Sequence, residues 1–170
     1  KMVLCGLQKT NYPITLNNKN TVFSNYLELI YGKDNDERLA IKHFIGPSNL
    51  TLQQKNIIDL ENNDVKHNIR NNYTVTDKAD GERYLLYIAS DGKMYLIDMN
   101  MNIIFTGMLT KEKSYFNSIL DGEYIIYDKY GNTINMFACF DIYFLNKEDV
   151  RNNEFVNVNK IDSTEFDKEK

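Results

Sequence analysis

The chain has 170 residues, 42% of them apolar and 12% aromatic, enough for one globular domain with a real core, and this excludes a disordered composition. A net charge of −4 excludes capture of a polyanion by overall charge alone, so any nucleic-acid contact must come from a local basic cleft or from other parts of the protein. Cys5 and Cys139 are too few for a disulfide framework, which suggests a reducing compartment, and no run approaches the ~18–20 apolar residues that cross a bilayer. The N-terminus lacks the shape of a secretory signal. The chain starts at Lys1 and ends in the polar stretch 162–170, and it reads as a piece of a longer polypeptide.

In chain order, residues 21–46 are predicted helical. Phe23, Tyr26, Leu27 and Ile30 recur at three- and four-residue spacing, followed by Leu39, Ile41, Phe44 and Ile45, with Gly32 and Gly46-Pro47 as stops. The Phe/Tyr/Leu stripe at 21–31 is read as core packing. Residues 49–70 are polar and Asn-rich, with a weak helical pattern at Ile57, Ile58 and Leu60. From Tyr73 the period becomes strand-like. The predicted strands are 73–76, 84–89, 94–97, 103–105, 119–120, 124–127 and 136–145, with turns at Ser90-Asp91-Gly92 and 128–131. Short strands with turn punctuation, preceded by helices, predict an α+β fold built on a mainly antiparallel sheet. The predicted organisation is an N-terminal helical or linker region over 1–46, a sheet-bearing domain over 47–152 and a polar tail or continuation over 153–170.

Chemistry concentrates in Lys78-Ala79-Asp80-Gly81-Glu82-Arg83, a tight connection between strand patterns. A lysine amine is nucleophilic only when neutral, so its pKa of about 10.4 must fall for it to react near pH 7. Arg83 and a nearby phosphate-bound metal would push it down, and partial burial in a cleft would add to that. Gly81 lets the backbone come close to a ligand or take a positive φ, and Asp80 could orient the ammonium or brace the loop. The plain alternative is a surface turn, since Asp-Gly is a common turn dipeptide. Leu120-Asp121-Gly122-Glu123 then offers a carboxylate for a ribose hydroxyl or a metal. Phe137-Ala138-Cys139-Phe140-Asp141-Ile142-Tyr143 offers a ring for stacking on a purine. Each has its own plain reading, a bulge or turn for Asp121-Gly122 and core packing for the aromatics. His43 and His67 lack metal-ligand spacing and are read as structural or surface residues.

Together, in this order, the three segments resemble the signature motifs of the covalent nucleotidyltransferase superfamily, which holds DNA and RNA ligases and mRNA-capping guanylyltransferases. Lys78 to Arg83 is similar to its Lys-x-Asp-Gly-x-Arg motif, Leu120 to Glu123 to its Asp-Gly-Glu strand, and Phe140-Asp141 to its Phe-Asp strand. The resemblance covers roughly residues 44–152. Phe44-Ile45-Gly46-Pro47 with Thr51-Leu52, Leu120 before Asp-Gly-Glu, and the run from Phe140 to Arg151 resemble the guanylyltransferase domain of multifunctional capping proteins of large cytoplasmic DNA viruses and cytoplasmic linear plasmids. Lys-x-Asp-Gly-Glu-Arg is also a common spelling in ATP-dependent ligases. An adenylation domain of a DNA or RNA ligase, or a non-catalytic module of the same fold, therefore stay open.

The resemblance implies that Lys78 attacks the α-phosphorus of GTP, holds GMP as a phosphoramidate and passes it to a 5′-diphosphate RNA end, with Mg²⁺ or Mn²⁺ as cofactor. It implies that Arg83 contacts ribose or phosphate, Glu123 the ribose or the metal, and Phe140 the guanine. Thr76 and Asp77 would line the base edge, Gly81 would admit the nucleotide, and Asp80 would support the loop. Triphosphatase and methyltransferase domains of the same protein, GTP and the RNA 5′ end are the implied partners. The implied location is the cytoplasm, in a viral factory or virion or a plasmid system, without a membrane. Two departures stand out. No arginine lies between Arg83 and Arg151, and the Glu-Gly and Lys-x-Lys strands of the family have no counterpart in strand context, since Lys160, Lys168 and Lys170 are in a polar stretch. The catalytic domain is therefore expected to be incomplete at its C-terminal end and inactive alone.

Overall fold

Two helices precede the sheet, α1 (Met2–Gln8) and α2 (Leu16–Tyr31). The second begins at Leu16 because Thr15 caps it, its side-chain oxygen accepting the Asn18 N–H at 3.2 Å. It ends at Gly32, whose φ of +87° breaks the helical run. The computed structural model describes residues 2–8, 10–33, 40–58, 68–70, 73–75 and 78–154. Within those residues the helix expected over 21–46 is corrected at both ends. It starts earlier, because the cap lies ahead of the apolar stripe, and past Gly32 only a single 3₁₀ turn, Ile41–His43, follows. No helix among the described residues is long and apolar enough to cross a membrane.

The chain divides into two units, one made of Lys1–Gly46 with Lys78–Asn152 and the other of Pro47–Asp77 with Asn153–Lys170. The first holds an antiparallel sheet of six strands: β1 (Glu82–Ile88), β2 (Lys93–Ile97), β3 (Ile103–Leu109), β4 (Ser118–Tyr127), β5 (Thr133–Leu145) and β6 (Glu148–Asp149). Their order across the sheet is β3-β2-β1-β4-β5-β6, with a crossover from β3 to β4, so the fold is α+β, with two α-helices among the described residues beside one antiparallel sheet. Three of its turns use short polar side chains as backbone partners. Asp91 accepts the Lys93 N–H, Asp98 those of Asn100 and Asn102, and Asp128 those of Tyr130 and Asn132. The segments 119–120 and 124–127, read separately in the sequence, are one continuous strand that runs through Asp121-Gly122-Glu123. A strand expected from Tyr73 is not present over 73–75.

Directly opposed residues of an antiparallel ladder project to the same face. Arg83, Leu85 and Tyr87 of β1 lie opposite Glu123, Asp121 and Ile119 of β4, so these six share one face. Helix α2 covers the Leu85, Tyr87 and Ile119 end with Val22, Phe23, Tyr26 and Leu27, and Tyr26 meets Tyr87 edge-on at 5.9 Å between ring centres. That apolar cluster is the core, and hydrophobic burial there is the main force holding helix to sheet. The Tyr26 hydroxyl donates to the His43 carbonyl at 2.8 Å, and His43 Nδ1 accepts the Ala40 N–H, so the buried histidine closes a turn.

The second unit explains the Asn-rich stretch. Asn56 Oδ1 accepts the Gln53 N–H and its carbonyl accepts the Ile69 N–H, while the buried Asn68 donates to the Ile58 carbonyl. Asparagine side chains here stand in for a backbone ladder, which satisfies loop polar groups without regular structure. The weak helix expected at 57–60 reduces to the turn Gln54–Asn56 among the described residues, with Leu60 outside them.

Candidate active site

The charged end of the same sheet face gathers the motif residues. Arg83, the second residue of β1, is directly opposite Glu123 on β4, and Glu123 in turn is opposite Ala138 on β5. Glu123 Oε2 accepts the Gly81 N–H at 2.9 Å, so β4 ties down the loop that carries Lys78. Gly81 is required here by close approach: a Cβ would sit 2.7 Å from the Tyr124 carbonyl oxygen. The neighbour that demands the small residue is therefore β4, and its N–H is taken by Glu123.

Lys78 lies in the segment ahead of β1 and is exposed, with Nζ donating to the Ala79 carbonyl at 3.2 Å. The partial burial expected from the sequence is corrected: the β1–β4 ladder starts only at Glu82, so no paired strand among the described residues covers the lysine. Asp80 is exposed as well. Thr76 and Asp77 lie outside the described residues.

Arg83 is the most constrained of the group. Its Nε donates to Asp121 Oδ1 at 3.1 Å and its terminal nitrogen to Oδ2 at 2.5 Å, a bidentate fork. Asp121 is fully covered, with 0% side-chain exposure, while Arg83 keeps 16%. The Tyr143 hydroxyl donates to the same Oδ2, and the Phe44 ring lies 5.6 Å from the guanidinium. The hydrogen bonds that Arg83 donates to Asp121 hold its pKa above its usual range, and burial, then the hydrogen bond to Asp121, push the Tyr143 hydroxyl up.

Two irregularities in the β4–β5 ladder decide where Phe140 and Tyr143 go. Gly122 pairs with Cys139 but Asp121 with Asp141, which leaves Phe140 as the extra residue. Leu120 pairs with Ile142 but Ile119 with Phe144, which leaves Tyr143 as the second. Bulges re-aim side chains that strict alternation would send elsewhere. Phe140 stays 36% exposed, while Tyr143 is buried beside Phe144 and reaches Asp121.

The opposite sheet face carries an aromatic set. Tyr84 meets Tyr124 edge-on, Tyr124 is paired with Phe137, and the Tyr84 hydroxyl donates to Glu82. Burial, then that hydrogen bond, push the Tyr84 pKa up to about 12. These rings line a concavity that does not include Lys78, Arg83 or Glu123.

For a divalent ion the donor set decides. Among the described residues no three His, Cys, Asp or Glu come together to hold one. Glu123 stands as a single carboxylate already accepting the Gly81 N–H, and Asp121 is consumed by Arg83 and Tyr143. Among the described residues these groups do not make a resident metal site.

Sequence reasoning placed Lys78, Arg83, Glu123 and Phe140 in one site, and the latter three sit on adjacent strands whose β4 carboxylate grips the lysine's loop. It missed Asp121 and Tyr143. The spacing of Asp121 and Glu123, two apart on one strand, already placed both carboxylates on a common face. Nothing in the sequence announced the bulge that delivers Tyr143.

With this geometry in view, the relatives are informative. A 145-residue stretch is 31% identical to a probable mRNA-capping enzyme of Acanthamoeba polyphaga mimivirus, covering 85% of this chain and 11% of that protein. The chain thus spans about a tenth of the relative's length. The model of the mRNA capping enzyme catalytic domain matches residues 20–170, and the chain belongs to that family.

Proposed function

We propose that this chain carries the guanylyltransferase chemistry of an mRNA-capping enzyme. The neutral Lys78 amine attacks the α-phosphorus of GTP. The Nζ–P bond forms, the bond from the α-phosphorus to the bridging oxygen breaks, and pyrophosphate leaves with that electron pair. The lysyl-GMP then passes its GMP to a 5′-diphosphate RNA end and regenerates the amine, a two-displacement covalent strategy. The single observation that carries the reading is the Gly81–Glu123 hydrogen bond. It ties the lysine loop to β4 through Glu123, the residue directly opposite Arg83 on β1, which supports reading nucleophile and recognition groups as one constellation.

Arg83 supplies a fixed positive charge for a phosphate or ribose oxygen, since charge develops on phosphate oxygens in both steps. Glu123 is suited to a ribose hydroxyl through the lone pairs left over from Gly81. Phe140, with its exposed ring, is suited to stacking on the guanine. Thr76 and Asp77 are assigned to the base edge by the motif resemblance alone, and Asp80 to supporting the lysine loop. An exposed Lys78 needs the remaining phosphate-gripping and ion-holding groups from elsewhere in the polypeptide. We therefore read these residues as part of a catalytic domain that requires the rest of the protein, its RNA 5′ end and its neighbouring capping domains for turnover.

Incubating the full-length protein with magnesium and α-³²P-labelled GTP or ATP tests this. Label from GTP that survives SDS and disappears in Lys78→Ala is the expected result. Label from ATP alone would move the chain to the ligases, and label from neither would remove the enzyme reading.

A further inference from the structure

We infer that Asp121 and Tyr143 are positioning residues that hold the Arg83 guanidinium in one orientation for the nucleotide; the inference rests on the guanylyltransferase reading above. A buried ion pair is a weak source of stability, because removing two charges from water costs about as much as their attraction returns. This pair occupies the register position next to Glu123 and the lysine loop, where orientation matters more than stability. Two elements hold the guanidinium and a third holds its carboxylate partner. The carboxylate of Asp121 on β4 takes two N–H groups along one edge. The Phe44 ring lies against the planar group, from the segment after the Ile41–His43 turn. The Tyr143 hydroxyl on β5 fixes the carboxylate itself, and the bulge in β5 is what brings it there. Asp121 is wholly covered, whereas the Arg83 side chain keeps 16% exposure. Arginine's planar fork suits this use, since a fixed carboxylate on one edge dictates the plane of the whole group.

The test uses the full-length protein and the variants Tyr143→Phe and Asp121→Asn, which keep side-chain shape while removing the hydroxyl or the charge. Lysyl-GMP formation is followed as a function of GTP concentration, beside the melting temperature and the ¹⁵N side-chain Nε–H resonance of Arg83. Tyr143→Phe is expected to raise KM for GTP on the order of tenfold, the effect of losing one hydrogen bond to a charged group. The maximal rate should change less, and the Arg83 Nε–H signal should broaden or shift. Asp121→Asn should do the same more strongly. A purely structural role would lower the melting temperature and the active fraction and leave KM unmoved, and that outcome overturns the inference. An adduct that forms with unaltered KM in both variants overturns it too, without touching the guanylyltransferase reading. No adduct from the unaltered protein would overturn both.

Discussion

One face of the β1–β4 ladder serves two purposes two residues apart. At one end Leu85, Tyr87 and Ile119 disappear under α2; at the other, Arg83, Asp121 and Glu123 continue the same alternation in charge. The backbone geometry is continuous, so the difference lies in what covers each end. The apolar end is held by area removed from water, which tolerates small shifts. The charged end is held by directional bonds around a wholly covered carboxylate, and each donor there has a defined place. Stability and chemistry can therefore be perturbed separately on neighbouring positions of the same strands.

The largest expected effect on stability comes from breaking the charged end. Asp121→Ala should cost about 3–5 kcal/mol in a denaturant titration, because it strands the Arg83 charge and the Tyr143 hydroxyl. The paired replacement Arg83→Met with Asp121→Leu should cost much less, or even stabilise, while abolishing guanylylation. Equal losses from the single and the paired replacements would erase the contrast between the two ends. Leu85→Ala at the apolar end should cost about 2–5 kcal/mol by leaving a cavity, and should leave KM for GTP in the folded fraction unchanged.

Smaller effects sharpen the same contrast. The Tyr87 hydroxyl is buried in the core with no hydrogen-bond partner among the described residues. Tyr87→Phe should therefore raise stability by about 1 kcal/mol, measured as a shift in the denaturant midpoint. A loss instead would show that the hydroxyl has a partner. Burial raises the Tyr26, Tyr87 and Tyr143 pKa values above their ordinary 10.0. The folded state thus holds these protons more tightly than the unfolded chain does. Their contribution is fully present below pH 10 and is lost as pH climbs above it, so the melting temperature should begin to fall there.

How much of this was readable in the sequence follows from the range of each signal. The strands appeared wherever alternation and turn residues agreed, as at Ser90-Asp91-Gly92, because both are local. Helix α2 was seen, but its start was missed, because Thr15 caps a first turn that is polar apart from the exposed Leu16 and carries no apolar periodicity. By alternation alone Asp121-Gly122-Glu123 separated two short strands, whereas the motif placed it on a strand. It is strand throughout, since Gly122 is needed where a Cβ would come 2.5 Å from the Ala138 carbonyl oxygen of β5. Lys78, Arg83, Glu123 and Phe140 were found as motif residues. The partners that constrain Arg83 were not, because Phe44 and Tyr143 reach it from distant segments and a bulge sets the direction of one of them.

The central claim is that Lys78 is the nucleophile that takes GMP from GTP. The most direct measurement is tandem mass spectrometry of the full-length protein after incubation with GTP and magnesium, with the adduct mapped by peptide. The account predicts one GMP, in phosphoramidate linkage, on the peptide that contains Lys78-Ala79-Asp80-Gly81. A GMP adduct on any other lysine, with Lys78 unmodified, would contradict it.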